Sequence, residues 1–286
     1  MSAPRIDAHQ HFWRLSRGDY GWLTPRLGPL YRDFDPEHLA PLLRARGIGA
    51  CVAVQAAEST DETRFLLSLA ANHPWIAGVV GWVDVHAPGA ADDADALRAL
   101  GPLVGLRPML QDLDPGYVTD GRARPTLEWL AREGVALDAL VRTNHLEDLR
   151  TLLDRHPSLR LVIDHAAKPD LRPGADAGTR ERWTHGMRAL AERGASVKLS
   201  GLLTEAAAGA GLDELRPTFD FLLSAFGPDR MLWGSDWPVL TLAAGYERWC
   251  EVTDALLAPL APGERDGILG GNAARFYRLD AAAGAP

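Results

Sequence analysis

The sequence predicts a closed (β/α)8 TIM barrel, and three observations carry that prediction. Short apolar, β-branched runs alternate with longer amphipathic segments about eight times along the 286 residues, the pattern of a parallel sheet wrapped by helices. The first run leads into His9-Gln10-His11-Phe12-Trp13. An open doubly wound sheet, the alternative architecture, normally carries a Gly-rich phosphate loop at that point. Residues able to do chemistry recur at the C-terminal ends of the runs, where a barrel gathers its side chains at one mouth. A barrel of ~250 residues counts as one domain, so a single domain over 1–286 is expected.

The first strand is expected over 6–8. Residues i and i+2 of a strand point to one face. His9 and His11 therefore aim both imidazoles at one small volume, suited to a metal ion, a water or a substrate carbonyl. Residues 15–32 hold three glycines and proline-bearing turns, a long loop of the kind that often walls a site. A helix over 35–46 opens at Asp35 with Pro36 in its first turn and stops before Gly47. Strand 50–55 precedes helix 60–72, whose apolar face is Leu66, Leu67, Leu69 and Ala70. Strand 77–83, helix 91–100, strand 103–107, helix 126–133, strand 136–141 and helix 145–156 follow. Strand 161–164, helix 180–193, strand 195–199, helix 213–226, strand 231–234 and helix 246–257 complete the set. Gly101, Gly134, Pro157, Gly194 and Gly227 supply helix stops. Residues 206–211 read as a small-residue loop and 280–286 as a frayed tail.

The net charge of −8 gives no reason to expect nucleic acid or an anionic membrane as partner. Cys51 and Cys250 are far apart and outside any Cys-x-x-Cys pattern, so no disulfide framework is expected. No basic-then-apolar leader and no apolar run of membrane-spanning length is present. A cytoplasmic protein acting on a small molecule is the expectation, with a homo-oligomer left open.

The strand ends yield a short list. The first gives His9 and His11, the second Gln55 with Glu58 beyond, the third Trp82 and Asp84. The fourth gives Arg107 with Gln111 beyond, the fifth Arg142 and then His145. The sixth gives Asp164, His165 and Lys168, the seventh Lys198 and Ser200, the eighth Ser235, Asp236 and Trp237. His73 and His156 fall at the opposite end of the barrel and read as structural, while His38 and His185 lie in helix patterns and read as solvated.

The ordered set Ile6-Asp7-Ala8-His9-Gln10-His11-Phe12-Trp13, Gly81-Trp82-Val83-Asp84, Gly105-Leu106-Arg107-Pro108, Ile163-Asp164-His165-Ala166-Ala167-Lys168-Pro169, Lys198-Leu199-Ser200-Gly201-Leu202, Gly234-Ser235-Asp236-Trp237-Pro238 and Asn272-Ala273-Ala274-Arg275-Phe276-Tyr277 resembles the amidohydrolase superfamily. More narrowly it resembles the branch of sugar lactonases and pyrone dicarboxylate lactonases. The resemblance implies hydrolysis of a cyclic ester, a lactone of the L-fuconolactone or L-rhamnonolactone type. It carries the strand-one pair onto His9 and His11, the strand-six histidine onto His165, the strand-eight acid onto Asp236 and a substrate-contacting arginine onto Arg107. Binuclear members place a Lys or Glu at the end of strand four, and 103–111 contains neither. His145 is the candidate near strand five, and it can equally begin the next helix. The implied cofactor is therefore none, or one divalent ion, zinc first, on His9, His11 and Asp236.

Lactone opening needs an attacking water, a polarised carbonyl and a proton for the departing alkoxide. Asp236 can take the proton from water and return it to the ring oxygen. His9, His11 and His165 can orient the water and stabilise the oxyanion, or ligate one metal that does so. Arg107 ends an apolar strand, so its guanidinium pairs with a protein acid or awaits substrate oxygens. Lys168 and His145 are further substrate-side candidates, and Trp13, Trp82 and Trp237 could stack on a sugar ring. Lys198 can reach the pocket or pair with Asp164 or Asp236. Two other functions stay open: a mononuclear-metal amidohydrolase or decarboxylase acting on a non-lactone, and a binding-only scaffold.

Overall fold

Small and β-branched residues on alternate positions build the wall of the barrel. In a computed structural model, which describes residues 5–279 and 286, the strands are β1 (Arg5–Gln10), β2 (Ile48–Val54), β3 (Ile76–Gly81), β4 (Leu103–Leu106), β5 (Ala136–Ala139), β6 (Leu161–Ile163), β7 (Ser196–Leu199) and β8 (Met231–Trp233). They pair in parallel and in chain order. The tail expected over 280–286 falls, apart from its last residue, outside the described residues. Alternation sorts the side chains. Ile6, Ala8, Val52, Val54, Val80, Val162 and Leu232 fill the barrel interior, while Cys51, Ala53, Val79 and Leu137 face the helices.

The outer layer follows the expected order: α1 (Pro36–Ala45), α2 (Thr60–Asn72), α3 (Ala90–Arg98), α4 (Arg124–Glu133), α5 (Leu146–Arg155), α6 (Ala177–Glu192), α7 (Leu212–Phe226) and α8 (Tyr246–Leu257). In α5, Leu146, Leu149, Leu152 and Leu153 are buried at helical spacing. Helix α1 is capped by Asp35, and His38 accepts from the Asp35 N–H at 3.0 Å. Helix α6 starts at 177 and not 180, because the Asp176 carboxylate accepts from the Thr179 N–H at 2.6 Å. Strand β3 ends at Gly81, two residues early, because the Trp82 N–H donates to Thr63 Oγ1 at 2.8 Å. Two short helices, α9 (Pro262–Asp266) and α10 (Asn272–Tyr277), close the chain and were not expected. Among the described residues no helix is long and apolar enough to cross a membrane.

The seam between β1 and β8 matters most for function. Gln10 and Trp237 form a parallel bridge, the His11 N–H donates to Trp237 O at 2.7 Å, and the Asp236 N–H donates to His9 O at 2.8 Å. Closing the barrel thus sets Asp236 beside the histidine pair. On its other side β1 carries one extra residue between Asp7 and Gln10 relative to β2, a bulge of the kind that re-aims side chains.

Candidate active site

Strand β1 carries His9 and the residue just past its end is His11, the turn after β6 carries His165, and the turn after β8 carries Asp236. Their reactive atoms converge. His9 Nε2 and His11 Nε2 are 3.2 Å apart. Asp236 Oδ1 lies 3.3 Å from His11 Nε2, 3.7 Å from His9 Nε2 and 3.7 Å from His165 Nε2. All four side chains are buried. Two glycines permit this crowding. A Cβ on Gly234 would sit 2.7 Å from His9 Cβ, and one on Gly201, at φ +63°, would sit 2.5 Å from His165 Nδ1. Behind the ring, His165 Nδ1 and Ser200 Oγ share a hydrogen bond of 2.9 Å.

The backbone at the mouth is strained. His165, Ala166, Ala167 and Lys168 are all left-handed, and so is Asp236 at φ 58°. A non-glycine residue there costs roughly 1–2 kcal/mol, and such residues cluster where function demands a fixed geometry. Trp183 Nε1 donates to Ala166 O at 2.7 Å and pins the turn.

Burial favours a protonated Asp236, but the charge of His165 and the hydrogen bond from His11 outweigh it and hold the carboxyl well below its usual range. Burial pulls His165 down to about 4. At neutral pH the site therefore presents a carboxylate beside a neutral His165 ring. A cavity of about 280 Å³ opens over this cluster, reaching His11, His165, Asp236, Arg107 and Lys168. A larger groove of about 930 Å³ lies beside it along Arg142, Arg172 and Glu205, sharing only Lys168 with the cavity. The groove lacks the histidine cluster, so the smaller cavity is the candidate site.

Below the mouth lies a charged floor. Lys198 Nζ contacts Asp138 Oδ2 at 2.5 Å, Asp164 Oδ1 at 3.0 Å and His9 Nδ1 at 3.0 Å, all fully buried. Arg107 Nη1 meets Asp164 Oδ2 at 3.4 Å, and Arg107 also donates to Gln55 O. Tyr277 of α10 donates to Asp138 Oδ2 at 2.6 Å. Burial opposes ionisation of Asp164, yet the charges of Lys198, His9 and Arg107 hold it well below the usual range.

The amidohydrolase family model matches residues 6–279. The chain belongs to the amidohydrolase family. It is 40% identical over 289 residues to the L-fucono-1,5-lactonase of Burkholderia ambifaria, covering 98% of this chain and 97% of that protein. The L-fucono-1,5-lactonase of Burkholderia multivorans is 42% identical over 295 residues, with 98% and 97% covered. A crystal structure of an amidohydrolase from Burkholderia multivorans with bound zinc superposes with a TM-score of 0.91 at 39% identity, covering 97% of this chain and 100% of that one.

Does this amidohydrolase offer a metal a fitting site? His9, His11 and Asp236 each bring one donor atom within 4.8 Å of the others. Zinc–nitrogen bonds of ~2.0–2.1 Å in a tetrahedron place neighbouring ligand atoms about 3.3 Å apart. Two of the three separations, 3.2 Å and 3.3 Å, match that edge and the third, His9 Nε2 to Asp236 Oδ1, is longer at 3.7 Å, so the donor types and approximate spacing fit one ion. A second grouping, His9, Asp164 and His165, draws on an acid already committed to Arg107 and Lys198.

Several expected site residues lie elsewhere. Trp13 does not line the cavity. It is fully buried, packs edge-on against Trp22 with ring centroids 5.4 Å apart, and donates to Arg32 O at 2.8 Å. Trp237 is buried against Phe34, at 5.2 Å between centroids, and Phe12, at 6.2 Å. Trp82 also lies off the cavity, its backbone tied to Thr63 of α2. His145 is a structural clip: its ring bonds Leu113 O at 2.9 Å and accepts from the Arg142 N–H at 3.3 Å. Arg107 combines both readings, pairing with Asp164 while facing the cavity. Lys168 faces the cavity with no ion pair among the described residues, and burial lowers its pKa despite Asp236 nearby.

Trp22 is the aromatic residue on the cavity wall, and Leu27 and Leu30 of the same loop join it. Sequence reasoning placed that loop at the site but passed over these residues. It also passed over Asp138, although an acid inside Ala136-Leu137-Asp138-Ala139 was a readable signal.

Proposed function

We propose that this amidohydrolase opens a small sugar-acid lactone of the L-fucono-1,5-lactone type by attack of water on the ester carbonyl. The observation that carries the reading is the convergence of the Asp236 carboxylate with His9, His11 and His165 at the floor of a small cavity. The B. ambifaria and B. multivorans lactonases, similar over nearly their whole length, support it.

The chemistry follows from the charge states. Water held against Asp236 Oδ1 gives it a proton as the oxygen attacks the carbonyl carbon. The C=O electrons move onto oxygen, where the His165 ring and the Arg107 guanidinium supply donors. Collapse re-forms the C=O bond and breaks the bond to the ring oxygen, which takes the proton back from Asp236. The product is one hydroxy acid, and its new carboxylate is received beside Lys168. Trp22 and the leucines around it cover the ring face. A divalent ion held by His9, His11 and Asp236 would, when bound, polarise the carbonyl and acidify the water.

Cys51 and Cys250 are buried free thiols, which suits a reducing, cytoplasmic setting. The test is a pH-indicator screen of aldonolactones, corrected for spontaneous opening, with zinc content measured on the same sample. Saturable hydrolysis of a few related lactones supports the reading. Turnover of an amide or a carboxylated aromatic, with no lactone opened, would replace it.

A further inference from the structure

The groove beside the active-site cavity meets it at a single cation, and a second cation waits further along. We propose that this groove is a separate binding site that receives the open-chain polyhydroxy carboxylate made by lactone opening, with Lys168 passing the new carboxylate from the cavity to Arg142.

The groove, of about 930 Å³, and the cavity, of about 280 Å³, share only Lys168. Three charged groups line the groove from three successive strand ends: Arg142 after β5, Lys168 after β6 and Glu205 in the turn after β7. Among the described residues none of the three is in an ion pair. Other charges there are already committed: Arg172 pairs with Asp170 at 2.8 Å, and Glu147 accepts from Arg150 Nε at 2.9 Å. Burial pushes the Glu205 carboxyl up, and the nearby charges of Lys168 and Arg142 oppose it.

The backbones of the three are held. Lys168 ends the left-handed turn at φ 50°, and its N–H donates to His165 O at 2.9 Å. His145 grips Arg142 twice: its ring accepts from the Arg142 N–H, and its own N–H donates to Arg142 O at 3.0 Å. The Leu171 N–H donates to Glu205 O at 3.0 Å and ties the loop after Lys168 to the turn that carries Glu205.

The two spaces suit different species. Trp22, Leu27 and Leu30 on the cavity wall suit an uncharged ring. Hydrolysis turns that ring into an anion. Inside the cavity the new carboxylate stands near the Asp236 carboxylate, and like charges repel. Toward the groove it meets Lys168 and then the Arg142 guanidinium, whose planar fork can donate two N–H groups to one carboxylate. Glu205 can accept from hydroxyls of the chain. A neutral lactone gains little from the two cations, so the groove favours product over substrate. The identity of the acid rests on the lactonase reading.

The test is inhibition of lactone hydrolysis by L-fuconate, the acid formed from L-fucono-1,5-lactone, in wild type and Arg142→Gln. Arg142 is exposed and its side chain makes no hydrogen bond among the described residues, so the variant is expected to fold, as thermal unfolding checks. An acid bound only in the cavity competes with the lactone and raises KM alone. An acid held in the groove while a fresh lactone enters also lowers kcat. Wild type is expected to show this lowering of kcat. Arg142→Gln is expected to need about tenfold or more L-fuconate for the same effect, the size of one lost hydrogen bond to a charged group. A raised KM alone in wild type, an unchanged effect in the variant, or the same lowering of kcat by sodium chloride at equal concentration overturns the proposal. Turnover without added acid reports on the lactonase reading separately. If wild type opens no lactone, calorimetric titration with L-fuconate decides: binding that weakens about tenfold or more in Arg142→Gln keeps the groove as a hydroxy-acid site, and binding absent from wild type or equal in the two proteins overturns it.

Discussion

In the proposed reaction Asp236 is the base, and three imidazoles and a left-handed backbone hold one of its carboxylate oxygens in place. Removing its charge while keeping its shape isolates that role. Asp236→Asn is expected to lower kcat by ~10²–10⁴-fold, with thermal unfolding little changed, as measured by lactone hydrolysis and calorimetry on the same protein. A few-fold loss would move the base elsewhere. At this scale the sequence was legible where side-chain alternation decides direction: His9 and His11 share a face because strands have period two. It was illegible where the chain leaves the strand. Trp13 sits only two residues past His11, yet it turns beneath the loop and buttresses Trp22, so aromatic type alone could not say which ring meets the cavity.

Two elements support the site from outside. The turn after β7 brings Gly201 against His165, leaving no space for a methyl group. Gly201→Ala is expected to displace the imidazole and lower kcat/KM by about 10²-fold, while zinc affinity through His9, His11 and Asp236 stays near wild type. An unchanged kcat/KM would show that His165 need not hold its position. The corner between β2 and α2 depends on Glu62, which is buried and accepts from the Ala56 and Ala57 N–H groups at 2.9 and 2.5 Å. Burial raises its pKa to about 8 from an ordinary 4.5. The native state therefore keeps a proton that the unfolded chain gives up. The sign follows: Glu62's contribution is full below 4.5, falls as pH rises through that interval, and levels off above 8, at about 1.4 kcal/mol per unit. Glu62→Gln is expected to flatten this part of the stability profile in urea unfolding between pH 5 and 8; an unaltered slope would contradict it. At the start of α2, Ser59 is the residue that caps the helix. Ser59 Oγ accepts from the Glu62 N–H at 3.0 Å, and the Glu62 carboxylate turns inward to the strand end.

At the scale of the whole molecule, the site and the barrel's closure are one object. His9 and Asp236 meet only because β1 and β8 zip together through the His11–Trp237 and Asp236–His9 backbone bonds. Groups from residues 9 to 236 can converge in this way only once the sheet has closed. Urea should therefore abolish hydrolysis and tryptophan fluorescence at one midpoint; activity lost well before the fluorescence change would mean that the mouth opens independently. Eight alternating runs were enough to read the barrel from sequence, because periodicity and helix stops are local signals. The charged floor was readable only in part: the pairing of Lys198 with Asp164 was among the alternatives for that lysine, but the contacts of Asp138 with Lys198 and Tyr277 join separate elements and left no local pattern. The most direct measurement is the background-corrected rate of L-fucono-1,5-lactone opening by wild type and Asp236→Asn at pH 7. Wild type should turn the lactone over with saturation, and the variant should fall by two orders of magnitude or more, at about 10²-fold for a lost general base. Equal rates in the two proteins, or no rate above background in wild type, would contradict the lactonase reading.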